Sequence, residues 1–369
     1  MRISNAKIFQ NGRFTDGGIE FDEKITAVGS EINVGEDAGG CYVIPGLVDI
    51  HTHGAVGADA SDGNAAGLAA ISRYYAKGGV TSFCPTTMTL GESALTGAVG
   101  TIGNFQRPEN GAKIAGIHLE GPFLSYTKRG AQAAEYLHAP DAEMFRRLNE
   151  ASGGLVKLIT VAPEEPGALE FIRAVSKLCT VSIGHTDADY STAIAAFDAG
   201  ATHATHLYNG MPSLHHREPG VIAAAADAGA TVELITDGLH VHPAVVRLTH
   251  RLFGEKLVLI SDSLRCAGMP DGEYELGGQP VTMKGGKATL AGTDTLAGSS
   301  IHLMEGLRRA VSFGVPLEAA VTAATLSPAK AIRMDDQIGS LDVGKWADMV
   351  VLDKQLNIKA VYINGKSIL

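Results

Sequence analysis

The chain has 369 residues, enough for one barrel-sized domain with a small appendage and too few for two large ones. Its 40 acidic against 30 basic side chains leave a formal net charge of −10, which argues against nucleic acid or an anionic membrane surface as a partner. An anionic substrate would therefore have to be met by local positive groups.

The four cysteines, Cys41, Cys84, Cys179 and Cys266, are scattered without a Cys-x-x-Cys pair and are expected to be reduced thiols. The N-terminal stretch MRISNAKIFQ alternates like a strand and lacks a signal peptide's apolar run. No window reaches about 18 uncharged apolar residues, so a cytoplasmic protein without a membrane partner is expected.

In chain order, residues 1–42 hold short period-2 stretches, with Asn11-Gly12 as a hairpin turn. The tail, 336–369, repeats that pattern around Asn364-Gly365. Neither half closes a stable sheet alone, so the two are expected to form one small β-sandwich domain built from both termini. Between them, residues 43–335 alternate short buried strands with helices. The strands are expected at Val43–Val48, Val80–Pro85, Ile114–Leu119, Val156–Val161, Thr180–Gly184, Thr202–Thr205, Val232–Thr236 and Leu257–Ser261. Helical stretches include Asn64–Lys77, Asp141–Glu150, Gly167–Lys177, Tyr190–Ala199, Val221–Ala228 and Pro243–Phe253. Eight strands separated by helices fit a TIM-type (β/α)₈ barrel, an α/β fold, although periodicity alone leaves an open doubly wound sheet as an alternative. Beyond the eighth strand come hairpin-like patterning over Gly277–Ala291 and helices around Ser300–Phe313 and Leu317–Ile332.

The chemistry gathers at strand ends. The first strand leads into His51-x-His53, and side chains two apart on a strand share a face, so both imidazoles can reach one metal. The third ends in Glu120, followed by Gly121-Pro122; Pro122 has no N–H, which weakens a helix-capping role for the carboxylate. The fifth and sixth end in His185 and His206. Singly, each histidine reads as structural. Together, four strands ending in His or Glu make a metal-ligand set on the barrel's C-terminal face, where TIM-barrel active sites lie. His118 and His203 share strands with better-placed ligands and are expected to support them. Asp262, after the eighth strand, is placed to pass protons for a hydrolysis; its plain alternative is an N-cap. The loop 208–220 carries His215, His216 and Arg217, a basic cluster suited to phosphate, with a solvated loop as the alternative; His240 follows the seventh strand.

These residues sit in PGLVDIHTHG, HLEGPF, IGHTDA, ATHLYNGMP, HHREPG, ITDGLHV, SDSLRCAGM, LAGSS and GSLDVGKWADMVVLD. With them the chain resembles the N-acetylglucosamine-6-phosphate deacetylases of the amidohydrolase superfamily along nearly its whole length. The resemblance implies hydrolysis of N-acetylglucosamine 6-phosphate to glucosamine 6-phosphate and acetate, in amino-sugar catabolism and cell-wall sugar recycling. It implies one or two divalent metals per subunit, the principal one on Glu120, His185 and His206 and a second on His51 and His53. Zinc is the first expectation, with iron, cobalt or manganese as alternatives for such ligands. Asp262 is implied as general base and then acid for the attacking water. Implied substrate contacts are Ala131, Asn209, Gly210, Arg217, His240, Leu296, Ala297, Gly298 and Ser299. A homodimer is implied, with Arg217 reaching the neighbouring subunit's phosphate site. The family usually reads Asn-Ala-Met where this chain has Asn209-Gly210-Met211, and the lost methyl is expected to loosen that loop. The alternatives are a related N-acetyl amino sugar phosphate or another amide as substrate, and a non-catalytic scaffold. Scaffolds tend to lose ligands, and here the whole set is present.

Overall fold

The computed structural model describes residues 1–368. Its barrel strands are β1 (Leu47–Thr52), β2 (Val80–Thr87), β3 (Ile117–Glu120), β4 (Val156–Val161), β5 (Thr180–Ile183), β6 (His203–Ala204), β7 (Thr231–Ile235) and β8 (Leu257–Ile260). Each pairs in parallel with the next, from Leu47 opposite Val80 to Ile235 opposite Ile260. Beyond the C-terminal ends of β1 and β8 the ring is drawn closed. The Asp262 N–H donates to the His51 carbonyl at 2.9 Å, and the Ser263 carbonyl accepts from the N–H groups of His53 and Gly54, each at 2.9 Å. This sequential order with contact between first and last strands excludes the open doubly wound sheet. Helices pack outside, so the strands are buried on both faces and read as apolar runs rather than alternating ones.

The strand expected over 43–48 is two strands. Tyr42–Pro45 pairs antiparallel with Met349–Leu352 in the terminal sheet, and the barrel begins only at Leu47. Gly46 makes the handover: a Cβ there would lie 2.1 Å from Thr81 Oγ1, and its N–H donates to the Asp348 carbonyl at 2.9 Å. An unbroken apolar run conceals such a change of partner. The run over 114–119 also divides, into Lys113–Ile114 beside β2 and β3 proper. Patterning over 277–291 belongs to a three-stranded antiparallel sheet, Gly272–Leu276, Gln279–Lys284 and Lys287–Leu290. The helix expected over 317–332 breaks at Thr325 (φ −133°, ψ −78°). Pro328 has no N–H to continue the ladder, and its ring would crowd the preceding turn. A further helix, Glu92–Gly103, lies outside the expected helical stretches, its sequence being interrupted by Gly97 and Gly100.

The two chain ends build one eight-stranded sheet. Arg13–Phe21 and Ile358–Ile363 have three strands between them, which would set them roughly 19 Å apart if the sheet were flat. The rings of Phe21 and Tyr362 nevertheless meet at 5.3 Å between centroids. The sheet thus folds over itself and encloses its own core, which includes Ile3, Ile8, Ile19, Ile25, Val43 and Met349.

A polar junction joins this unit to the barrel. Lys113, mostly buried, pairs with Asp348, donates to Asn364 Oδ1 at 3.0 Å and stands over the Trp346 ring. Burial lowers the Lys113 pKa, and Asp348 opposes that shift. Asp348→Asn keeps the shape but strands the ammonium. We expect it to lower stability by about 2–4 kcal/mol, measured as the urea midpoint, and Lys113→Met in the same chain to recover part of the loss.

Candidate active site

The strand ends bring six side chains to one point at the barrel mouth. His51 lies within β1 and His53 just past it, Glu120 ends β3, and His185, His206 and Asp262 each stand two residues beyond β5, β6 and β8. All are buried; His185, the most open of them, is 7% exposed. His185, His206 and Asp262 have φ of 47°, 25° and 48°, in or beside the left-handed region that side chains other than glycine's rarely adopt. Such turns cost on the order of 1 kcal/mol or more each and persist where surrounding structure holds them. At Asp262 that structure is visible: the Ser299 N–H donates to its carbonyl at 2.7 Å.

Glu120 is the centre of the cluster. Its Oε1 lies 3.0 Å from His206 Nε2, 3.1 Å from His185 Nε2 and 3.3 Å from His51 Nε2, and its Oε2 lies 3.2 Å from His53 Nε2. Asp262 Oδ1 stands 3.4 Å from His53 Nε2 and 3.6 Å from His51 Nε2. Gln132, which no sequence signal singled out, donates from Nε2 to Glu120 Oε2 at 2.8 Å. The supporting atoms fix ring orientation. His185 Nδ1 donates to the Lys128 carbonyl at 2.9 Å and His53 Nδ1 to the Thr86 carbonyl at 3.2 Å, which turns each Nε2 inward.

This donor set fits a divalent cation. His185 Nε2, His206 Nε2 and Glu120 Oε1 lie within 3.1 Å of one another. Tetrahedral zinc with bonds of about 2.0–2.1 Å separates its ligand atoms by roughly 3.3 Å. His51 Nε2 is buried and has no hydrogen-bond partner. The local field asks for positive charge as well. Burial alone would lower the pKa of His53, yet Asp262 and Glu120 raise it to about 10. Burial would likewise raise Glu120 and Asp262, and the neighbouring imidazoles instead hold both carboxyls below their ordinary values. Glu120, His185 and His206 form one group of donor atoms close enough together for a cation, and His51 and His53 with the same carboxylate form another.

A cavity of about 440 Å³ opens onto this cluster. Ala131, Asn209, Gly210, His240, Leu296, Ala297 and Gly298 stand in its wall, with His53, Glu120, His185, His206 and Asp262. Two expected contacts are elsewhere. Ser299 is buried behind the wall, its Oγ donating to the Ser261 carbonyl at 2.5 Å, so it braces the Asp262 turn. Arg217 is exposed, donates to His216 Nε2 at 2.7 Å, and lines a separate surface groove with Asp187 and Tyr190. Asp237 accepts from His240 Nδ1 at 2.7 Å, leaving Nε2 for the cavity. His118 and His203 lie beneath the cluster, His118 bonded to Thr160 Oγ1 at 2.8 Å and His203 to Glu233 at 3.2 Å. Glu233 was also missed by motif; its signal was a lone carboxylate in the apolar run Thr231-Val-Glu-Leu-Ile.

Gly210 has a tighter role than the loosening expected for it. Its φ is +59°, and a Cβ would lie 3.0 Å from His185 Nδ1 and 3.3 Å from the Lys128 carbonyl that this nitrogen bonds. A methyl would press on the hydrogen bond that orients His185. Gly210→Ala should therefore cost about 1 kcal/mol in thermal stability and weaken metal retention during dialysis more than it changes the fold seen by circular dichroism.

The Amidohydrolase family model matches residues 42–368. N-acetylglucosamine-6-phosphate deacetylase of Bacillus subtilis (strain 168) is 40% identical over 331 residues, covering 88% of this chain and 83% of that protein. N-acetylgalactosamine-6-phosphate deacetylase of Escherichia coli O157:H7 is 38% identical over 326 residues, covering 87% and 86%. Among solved structures, a mutant N-acetyl-D-glucosamine-6-phosphate deacetylase from Mycobacterium smegmatis, in complex with N-acetyl-D-glucosamine-6-phosphate, superposes with a TM-score of 0.95 at 34% identity. The alignment covers 100% of this chain and 99% of that one. The chain belongs to the amidohydrolase family and, within it, to the N-acetylglucosamine-6-phosphate deacetylases.

Proposed function

We propose that this protein hydrolyses the acetamide of N-acetylglucosamine 6-phosphate to glucosamine 6-phosphate and acetate. The observation that carries the reading is the convergence of Glu120, His185 and His206 within 3.1 Å of one another beside the ionised Asp262, at the floor of a sugar-sized cavity. When bound there, a divalent cation supplies Lewis acidity, polarising the amide carbonyl and making water a stronger acid. Asp262 takes a proton from the water as its oxygen bonds the carbonyl carbon. It returns that proton to nitrogen as the C–N bond breaks, so amine and acetate leave together. His240 Nε2 and the wall from Leu296 to Gly298 hold the sugar.

Among the described residues, no lysine or arginine stands in the cavity wall, so a 6-phosphate needs a cation from elsewhere. Arg217 fits that need if supplied by a second copy. Leu214, Leu239, Leu248 and Leu252, on the segments that follow β6 and β7, are each about half exposed, apolar area that a homodimer would cover. We place zinc first as the metal, with iron, cobalt or manganese as alternatives, and two positions rather than one because both His51 and His53 face Glu120. No helix among the described residues is long and apolar enough to cross a membrane, and a cytoplasmic location accords with the phosphorylated substrate. We divide the chain into the barrel and a β domain of residues 1–42 with 336–369, adding Tyr42–Pro45 to the β domain by its pairing.

A second reading, deacetylation of the galactosamine epimer, is favoured by the 38% identity to the Escherichia coli relative named for it. Acetate release should be measured from both epimeric 6-phosphates and from unphosphorylated N-acetylglucosamine. The glucosamine 6-phosphate derivative should lead in kcat/KM, by at least about tenfold over the free sugar, and a chelator should abolish turnover. Better turnover of the galactosamine epimer selects the second reading; no chelator-sensitive turnover of any of the three rejects both. Asp262→Asn should retain its metal content while kcat falls by about 10²–10⁴-fold, since the water then lacks a proton acceptor.

A further inference from the structure

Beneath the cluster, inside the barrel, lies a carboxylate that the reaction does not touch. Glu233 sits in the middle of β7 with 0% exposure. Its Oε2 accepts from His51 Nδ1 at 2.8 Å and from the backbone N–H of His206 at 3.0 Å, and its Oε1 from His203 Nε2 at 3.2 Å. His203 Nδ1 in turn bonds Thr231 Oγ1 at 2.5 Å. An ionised carboxylate in a dry interior is tolerated only when its lone pairs are engaged, and three N–H donors engage these.

We propose that Glu233 is a positioning residue for the second metal position, fixing the ring of His51 from below. Holding the proton of His51 on Nδ1 leaves Nε2 as a bare lone pair, 3.3 Å from Glu120 Oε1 and 3.6 Å from Asp262 Oδ1. That is the nitrogen with no hydrogen-bond partner. The same Glu233 oxygen anchors the backbone at His206, the residue whose φ of 25° carries its ring over to Glu120 and His185. His51 has no other carboxylate at Nδ1, whereas His185 is oriented independently through Lys128. Loss of Glu233 should therefore fall first on the position that uses His51. The inference rests on the two-metal reading of the site.

The test is metal binding by the full-length protein, with Co(II) as probe, for wild type and Glu233→Gln. Glutamine keeps the shape but brings a donor where only acceptors serve. Wild type should bind two equivalents, with two sets of visible absorption bands. Glu233→Gln should bind the His51-dependent equivalent at least about tenfold more weakly and the other near normally. A general structural role would weaken both alike, and that result overturns the proposal, as does unchanged affinity at both. A single equivalent in active wild type overturns it too while leaving the deacetylase reading intact; absence of chelator-sensitive acetate release tells against that reading instead. Should Glu233→Gln not fold, imidazole nitrogen shifts of wild-type protein decide: a proton on His51 Nδ1 supports the proposal, and one on Nε2 overturns it.

Discussion

Glu120 is a carboxylate taken out of water and surrounded by imidazole nitrogens, and the rest of the site is arranged around that fact. Its two oxygens face His51, His53, His185 and His206 within 3.3 Å. Left without positive charge, such a group would be driven to its neutral form by burial. The imidazoles and the cation they are shaped to hold reverse that tendency. Asp262 benefits from the same field, since His51 and His53 offset its burial and keep it ionised.

Holding so much charge in place demands a rigid frame, and the barrel supplies it from several strands at once. β1, β3, β5, β6 and β8 each deliver one or two of the six groups, and left-handed turns bend His185, His206 and Asp262 over the mouth. The strain of those turns is offset by the barrel's own hydrogen bonds. The Asp262 N–H that closes the ring on the His51 carbonyl also ties Asp262 to the strand that carries His51 and leads into His53. Architecture and chemistry thus share the same bonds at the rim.

The terminal sheet contributes differently. It folds around a core of its own and meets the barrel through Gly46 and the Lys113–Asp348 junction. The cavity wall on the other side comes from loops: the Lys128–Gln132 turn, the Asn209–Gly210 segment and the stretch before Ser299. Strand ends and the turns just beyond them carry the six clustered groups, and loops shape the approach to them.

Sequence alone pointed to the barrel and its strand count, with an open doubly wound sheet left as the alternative, and singled out His51, His53, Glu120, His185, His206 and Asp262 as candidates, because buried parallel strands are short apolar runs and a His, Glu or Asp at the end of several of them stands out. Other features were decided only in three dimensions. Gly46 divides one apolar run between two sheets, and hydrophobicity says nothing of which partner a strand takes. Ser299 follows directly on Leu296, Ala297 and Gly298, which line the cavity, yet is turned behind the wall, and Arg217 is turned out to solvent, since side-chain direction follows local backbone and not proximity in sequence. Gly210 looked like a missing methyl until its left-handed φ and the nearness of His185 showed that the space is already filled. Glu233 and Gln132 carry no motif because their partners lie 182 and 12 residues away along the chain, the first brought near only when the barrel closes and the second only when the loop after β3 folds back.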